Sequence, residues 1–101
     1  MMYYATSKAA VVGFSRVLAR ELGADNIRVN TLVPGATMSE ERASDEALKN
    51  YQRSASTRIL KRIEQPEDLV GTAFYLLSDV STFVTGQTIL VKAEPYCTEK
   101  P

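Results

Sequence analysis

The chain has 101 residues, which is enough for one small domain with a modest hydrophobic core. Twelve basic residues balance twelve acidic ones, so the composition predicts no surface for nucleic acid or an anionic membrane. With no histidine and one cysteine, Cys97, the sequence excludes an internal disulfide and lacks the usual ligand sets of metal sites. We therefore expect a cytoplasmic protein without a metal site.

The first predicted element is a helix from about Thr6 to Leu22. Its apolar residues recur at three- and four-residue spacings, which places them on one face of a helix. They are Ala10, Val11, Phe14, Val17, Leu18 and Leu22. Gly23 is the usual kind of residue in the left-handed position after a helix, so we expect the helix to end there.

Two strands are predicted, one from Ile27 to Val33 and one from Gln87 to Val91. Both runs have strand length and are rich in β-branched residues. Pro34-Gly35 closes the first run because proline cannot continue a hydrogen-bonded ladder. Residues 92–101 show no periodicity and predict an irregular tail.

Two helices are predicted between the strands. The first runs from about Glu40 to Tyr51, with Ser39 as its N-cap and acidic residues in its first turn. The second runs from about Pro66 to Ser78, since proline is tolerated at the first helical position. Between them, the basic stretch Ser54–Arg62 predicts a loop, and the charges of residues 39–62 are interpreted as a solvated face.

The predicted order is helix, strand, helix, helix, strand. Strands joined through helices form a βαβ unit, which is almost always right-handed with parallel strands. Parallel sheets are normally covered on both faces and contain several strands, whereas this chain supplies two. The fold class is therefore α/β, and the sequence predicts an incomplete parallel sheet that forms the end of a larger structure.

Tyr4 and Lys8 are the residues with the clearest chemical potential. Their four-residue spacing at the start of the first helix places both side chains on one helical face. A phenol has a pKa of about 10. An ammonium about 4 Å away attracts the phenolate by roughly 4 kcal/mol, and this attraction lowers the pKa of the phenol. The pair is then suited to general acid and base chemistry on a hydroxyl or carbonyl group. A packed tyrosine beside a lysine that reaches solvent is the alternative interpretation.

Several motifs, in this order and spacing, resemble the second half of a classical short-chain dehydrogenase/reductase. The main ones are Tyr4-Ala-Thr-Ser-Lys8, Gly13-Phe14-Ser-Arg16, Ile27-Arg28-Val29-Asn30, Pro34-Gly35, Gln65-Pro66-Glu67-Asp68 and Phe83-Val-Thr-Gly86-Gln87. The resemblance runs from Tyr4 to about Val91. Within the family, the chain is most similar to the bacterial branch of 3-oxoacyl-acyl-carrier-protein reductases and sugar or polyol dehydrogenases.

The resemblance implies that the chain is the incomplete, C-terminal part of a Rossmann-like doubly wound parallel sheet. It also implies hydride transfer between NAD or NADP and a small-molecule alcohol or carbonyl substrate. Tyr4 matches the family's catalytic tyrosine, and Lys8 matches the lysine that lowers the tyrosine pKa and binds the nicotinamide ribose. Pro34-Gly35 matches the turn under the nicotinamide. Thr37 and Ser39 lie where the family contacts the carboxamide, although the family usually has other residues there. Ser39 is therefore interpreted either as a carboxamide ligand or as a helix N-cap.

The sequence departs from the family at both ends. Its glycines are too scattered to form the Gly-rich turn that binds the cofactor pyrophosphate, and the family's catalytic serine would lie upstream of Met1. After Val91 the family has Asp-Gly-Gly, whereas this chain has Lys92-Ala93-Glu94.

Two interpretations follow from different classes of protein. The favoured one is a C-terminal fragment of an oxidoreductase whose parent forms a homodimer or homotetramer, and which is inactive alone. The alternative is a truncated, non-catalytic relic that acts through its oligomerisation surfaces. An unrelated helical interaction module fits the ordered motifs poorly.

Overall fold

A computed structural model describes residues 1–39 and 44–94 of the chain. The helices are α1 (Met2–Leu22), α2 (Asp45–Ser56) and α3 (Glu67–Leu77), and the strands are β1 (Thr31–Pro34) and β2 (Thr88–Val91). Short 3-10 turns follow α1 and α3. The predicted α/β order of helix, strand, helix, helix, strand is confirmed.

Helix α1 begins at Met2, four residues before the predicted start, so it includes Tyr4. The amide of Ala5 already donates to the carbonyl of Met1 at 2.9 Å. At the other end, Gly23 has ordinary right-handed angles, and Asn26 takes the left-handed conformation at φ 63°. The expectation of a left-handed Gly23 is therefore wrong. Asparagine serves instead, because it tolerates this conformation better than other residues with a side chain.

Strands β1 and β2 form a two-stranded parallel sheet, as predicted. The amide of Thr31 donates to the carbonyl of Gln87 at 2.9 Å, and the amide of Gly35 donates to the carbonyl of Val91 at 3.3 Å. The hydrogen bonds thus advance in the same direction along both strands. This register is the one expected for a βαβ crossover.

Strand β1 is shorter than the predicted run, because the residues before Thr31 bond outside the strand ladder. The side chain of Asn30 donates to the carbonyl of Val84 at 2.9 Å and accepts from the amide of Gln87 at 3.1 Å. The amide of Val29 donates to the hydroxyl of Thr85 at 3.0 Å. Polar side chains that bond the backbone in this way compete with regular secondary structure.

Helix α2 begins at Asp45, and its N-cap is Ser44, whose hydroxyl accepts a hydrogen bond from the amide of Ala47 at 3.1 Å. The prediction of Ser39 as the N-cap of this helix is therefore wrong. The predicted first turn at Glu40 and Glu41 lies outside the described residues. At its C-terminus the helix continues to Ser56, so the first part of the predicted loop is helical.

Helix α3 agrees closely with the predicted range and is fixed at its start by Asp68. The Asp68 carboxylate accepts from the amide of Gln65 at 2.8 Å and from both terminal nitrogens of Arg62 at 2.7 Å. These bonds lower the pKa of Asp68 from 3.8 to about 2, with the Arg62 hydrogen bond as the main cause. An acid near a helix N-terminus is also favoured by the helix dipole.

The described residues divide into two compact units. One contains residues 1–32 and 72–89, and the other contains residues 33–71 and the described residues from 90 onward. In the first unit, Ala19 is buried, and a Cβ added to Gly86 would lie 3.6 Å from the Ala19 Cβ. Ser81 is also buried, and its hydroxyl accepts from Arg28 at 3.0 Å. In the second unit, Ala55 is the buried apolar residue among those described.

Large apolar side chains remain exposed on two helices. On α1, Val11, Phe14 and Val17 are all more than half exposed, and the same is true of Val70, Phe74 and Leu77 on α3. Their three- and four-residue spacings make each set a continuous stripe. Contiguous exposed apolar surface marks a site that another surface covers.

None of the helices among residues 1–39 and 44–94 is both long and apolar enough to cross a membrane. After β2, residues 92–94 belong to neither a helix nor a strand. The rest of the predicted irregular tail, 95–101, lies outside the described residues.

We expect the 101-residue chain to self-associate through its exposed apolar stripes. Replacing Phe14, which is 66% exposed, with glutamate places a charge in the α1 stripe without opening a core. Sedimentation velocity should show assemblies for the unaltered chain and a shift toward monomer for Phe14→Glu. Phe83→Glu is the control, since Phe83 is fully exposed but lies outside both helices. A monodisperse, unaltered monomer would contradict the prediction.

The ion pair at the start of α3 predicts a dependence of stability on pH. The folded-state pKa of Asp68 is about 2, below its usual 3.8. Unfolding therefore takes up a proton between these values, so the contribution of Asp68 is complete above about pH 4 and is lost as the pH falls through about 2. Urea unfolding should show a smaller loss of stability across this range for Asp68→Asn than for the unaltered chain. Glu67→Gln serves as control, and equal losses in all three proteins would contradict the assignment.

Candidate active site

Tyr4 and Lys8 lie together on the first turns of α1. Tyr4 is 63% exposed, and the Lys8 ammonium lies over its ring, 5.5 Å from the ring centroid. This is a cation–π contact, worth about 0.5–1 kcal/mol at an exposed site. It is weaker than the attraction of roughly 4 kcal/mol expected for an ammonium beside a phenolate. The structure thus brings the predicted pair together with the ammonium over the ring.

The segment after β1 contains the other predicted site residues. Pro34 is the last residue of β1, and the hydroxyl of Thr37 donates to the carbonyl of Gly35 at 3.0 Å. Ser39 is exposed. The structure therefore joins Gly35 and Thr37 directly, within one turn that we call the 35–38 turn. The predicted proximity of Tyr4 and Lys8 to this turn stays a prediction.

Glu64 holds the 35–38 turn through both its side chain and its backbone. Its Oε1 accepts from the amide of Gly35 at 3.2 Å, and its carbonyl accepts from the amide of Met38 at 2.9 Å. Glu64 also pairs with Thr37 in an isolated parallel bridge. The side chain is nearly inaccessible, since the residue is 7% exposed. One residue thus fixes both ends of the turn.

Arg58 is the most deeply buried charged residue among those described, at 2% exposure. Its guanidinium donates to the carbonyl of Ala36 at 2.8 Å and to the carbonyl of Arg62 at 3.1 Å. Its Nε lies 3.3 Å from Oε1 of Glu94. A planar guanidinium has donors that diverge in a fixed fork, so it links three separate segments of chain.

Gly35 allows the two glutamates to approach the turn closely. A Cβ at this position would lie 2.8 Å from Oε1 of Glu64 and 2.9 Å from Oε1 of Glu94. Each carboxylate also has a second oxygen, Oε2, that is buried without a hydrogen-bond partner among the described residues. A buried polar atom without a partner costs about 1–3 kcal/mol. The arrangement is therefore not the most stable way to fill this space.

The sequence analysis did not single out Arg58 and Glu64. The interpretation of the charges of residues 39–62 as a solvated face is wrong for Arg58, which is buried. The contacts of Arg58 with Ala36 and Glu94 span 22 and 36 residues, so no local pattern indicates them. The departure at Glu94 was the available signal, because a carboxylate replaces a glycine of the resembled family.

Each of the two units, taken by itself, offers polar groups of the kind that bind a nicotinamide dinucleotide. An exposed phenol and ammonium on α1, and an exposed hydroxyl at Ser39, are groups that can bind ribose hydroxyls and a carboxamide. The scattered glycines of the 101 residues do not form the Gly-rich turn that a pyrophosphate requires. The glycines of this chain therefore supply no pyrophosphate-binding turn, and the binding of a nicotinamide by Tyr4, Lys8 or Ser39 stays a prediction.

Comparison with known proteins agrees with the α/β fold. A family model described as enoyl-(acyl carrier protein) reductase matches residues 1–93. The 3alpha-hydroxysteroid dehydrogenase of Mediterraneibacter gnavus is 42% identical over 89 residues, which is 87% of this chain and 35% of that protein. The 3-oxoacyl-[acyl-carrier-protein] reductase of Chlamydia trachomatis is 38% identical with the same coverage.

A crystal structure of a short-chain dehydrogenase from Leptospira borgpetersenii with bound NAD+ superimposes with a TM-score of 0.73 at 38% identity. The superposition covers 87% of this chain and 33% of the Leptospira borgpetersenii chain. The fold and the motifs thus define a partial Rossmann-like α/β fold. The chain belongs to the short-chain dehydrogenase/reductase family, and it spans about 35% of the length of the curated relatives it matches.

We expect Gly35→Ala to destabilise the chain by about 1–3 kcal/mol, because the added methyl group overpacks the space beside the two glutamate side chains. The methyl group would displace two carboxylate oxygens from positions less than 3 Å away. Gly13→Ala is the matched control, since nothing lies within 4 Å of that Cβ and alanine favours a helix. Urea unfolding should therefore show opposite effects for the two variants. A Gly35→Ala variant as stable as the unaltered chain would contradict the close approach.

Proposed function

We propose that this chain forms the C-terminal third of an NAD(P)-dependent oxidoreductase that acts on a small-molecule alcohol or carbonyl compound. The observation that carries the proposal is the pairing of Tyr4 and Lys8 on exposed turns of α1, in a chain whose family match extends over residues 1–93. The printed names of the relatives, a hydroxysteroid dehydrogenase and a 3-oxoacyl-acyl-carrier-protein reductase, support the reaction class.

Tyr4 is the proposed acid and base. When bound, the nicotinamide supplies or accepts the hydride at the substrate carbon. In the direction of reduction, the Tyr4 hydroxyl gives its proton to the substrate oxygen, and solvent then returns a proton to the phenolate. In the direction of oxidation, the phenolate takes the proton of the alcohol. The exposure of Tyr4, at 63%, leaves its hydroxyl free to meet a substrate.

Lys8 has two proposed roles that follow from its position one helical turn from Tyr4. Its positive charge favours the phenolate electrostatically, and its ammonium provides three donors for a ribose hydroxyl. The ammonium has a flexible four-carbon stem, so it can leave the ring face for the ribose when the cofactor binds. Pro34, Gly35, Thr37 and Ser39 are proposed to contact the nicotinamide end.

A second candidate function is association without catalysis. The exposed stripes on α1 and α3 favour it, because they are apolar surfaces suited to another subunit or another part of the same protein. The coding sequence immediately upstream distinguishes the two candidates. An in-frame Gly-rich motif and a serine-bearing strand would support the oxidoreductase, whereas their absence would support the relic. A homodimer or homotetramer and a cytoplasmic location remain part of the first proposal.

The catalytic assignment is testable in an extended protein. We define this as the present chain preceded by the segment that its relatives carry, taken from the upstream coding sequence or from the Chlamydia trachomatis reductase. Tyr4→Phe should lower turnover by about a hundredfold or more, because it removes the transferable proton. The dissociation constant for NADH or NADPH should stay nearly unchanged, whereas Lys8→Ala should impair both quantities.

Tyr3→Phe is the matched control, since Tyr3 is 90% exposed and lies one residue from Tyr4 on the same helix. Its turnover should match that of the unaltered extended protein. Ordinary turnover in Tyr4→Phe, or an equal loss in Tyr3→Phe, would contradict the assignment of Tyr4.

A further inference from the structure

We propose that Arg58 and Glu64 are positioning residues for the 35–38 turn, and that Glu94 acts on the same turn by holding Arg58. The inference rests on the proposed function, in which this turn contacts the nicotinamide end of the cofactor. Its effect would be to hold the turn ready for the cofactor before binding.

The first argument is that buried side chains take up the polar backbone groups of the turn. Glu64 accepts the amide of Gly35, and Arg58 donates to the carbonyl of Ala36 at 2.8 Å. The carbonyl of Glu64 accepts the amide of Met38 at 2.9 Å. Turns are usually fixed by their own short-range bonds, whereas this one is held by residues 22 and more positions away. Its conformation therefore depends on those distant residues as well as on the local bond between the Thr37 hydroxyl and the Gly35 carbonyl.

The second argument is the continuity of the network to the end of the described chain. Arg58 contacts Glu94 at 3.3 Å, and the amide of Ile59 donates to the carbonyl of Ala93 at 2.7 Å. Residues 93 and 94 are thereby tied to the segment that also holds Ala36. A change at Glu94 can reach the 35–38 turn through a single guanidinium.

The third argument is the cost of the arrangement. Glu94 pairs with Arg58 and Glu64 accepts from the amide of Gly35, yet one oxygen of each carboxylate is buried without a partner among the described residues. Apolar residues of similar size would avoid this cost, and replacing buried ion pairs in that way is often neutral or stabilising. The presence of charged groups at this place is explained if these groups fix the geometry of the turn.

The first readout is amide hydrogen exchange of residues 35–38 in the 101-residue chain. Glu64→Ala removes one of the two acceptors of the Gly35 amide and leaves the carbonyl of Val91. Exchange there should accelerate by up to about tenfold, the effect expected for loss of one charge-assisted hydrogen bond. Glu64→Gln retains a carbonyl oxygen and should restore slow exchange. Glu67→Ala is the matched control, because Glu67 is an exposed glutamate three positions away. Glu94→Ala should accelerate exchange in the turn less than Glu64→Ala.

The second readout is cofactor binding in the extended protein, measured by isothermal titration with NADH and NADPH. Glu64→Ala and Glu94→Ala should weaken binding about tenfold or more, because the turn must then be ordered at the moment of binding. The Michaelis constant for the nucleotide should rise more than kcat falls. Glu64→Gln should bind nearly as well as the unaltered protein, and Glu67→Ala should be unchanged.

The outcomes separate this inference from the proposed function. Suppose that the extended protein binds nucleotide. If Glu64→Ala and Glu94→Ala then leave both amide exchange and nucleotide binding unaltered, the positioning role alone is overturned. An extended protein that binds no nicotinamide nucleotide would overturn the proposed function, and with it the role of the turn in cofactor binding. If Glu64→Ala fails to fold, the graded response to Glu94→Ala and the rescue by Glu64→Gln decide the question.

Discussion

A parallel pair of strands does not close a core by itself, because its two faces need cover and its outer edges need partners. Here β1 and β2 have four residues each, and Leu90 in β2 is 60% exposed. Ala19 and Ala55 are the buried apolar residues in the described part of the chain. The exposed apolar stripes of α1 and α3 and the short strands are consequences of this constraint. The chain also spans only about 35% of the length of the relatives it matches. A longer sheet would meet the constraint.

The turn after β1 is held by charged side chains and not by apolar packing. Arg58, Glu64 and Glu94 place charged groups where an apolar cluster would be at least as stable. Glycine at position 35 is what makes the approach of both carboxylates sterically feasible. The surface ion pair of Arg62 and Asp68 has the opposite character, since it is partly solvated and caps the start of α3. The buried charged residues therefore fix the geometry of the 35–38 turn, and the surface ion pair stabilises the start of α3.

Local sequence patterns predicted the type and order of the elements but not all of their ends. Helix α3 was well predicted, because Gln65-Pro66-Glu67-Asp68 is an unambiguous helix start. The start of α2 was not, since Ser39-Glu40-Glu41 and Ser44-Asp45-Glu46 carry the same N-cap signal and nothing local separates them. The start of β1 depends on the bonds of Asn30 to residues 84 and 87, which lie far along the chain.

The candidate site follows the same division. The spacing of Tyr4 and Lys8 is local, so the sequence sufficed to place them on one helical face. Arg58 and Glu94 meet across 36 residues, and the sequence marked Glu94 only as a departure from the resembled family, without indicating its partner. The family resemblance covered the motifs that relatives share, whereas the buried network appeared only when the chain was folded.

The central claim is that this chain carries the reactive end of a nicotinamide site whose pyrophosphate-binding part lies in a preceding segment. Isothermal titration of NADH and NADPH into the 101-residue chain and into the extended protein tests it most directly. The account predicts no measurable binding to the chain alone and a micromolar dissociation constant, of order 1–100 µM, for the extended protein with at least one of the two nucleotides. Micromolar binding by the 101-residue chain alone, or no binding by the extended protein, would contradict it.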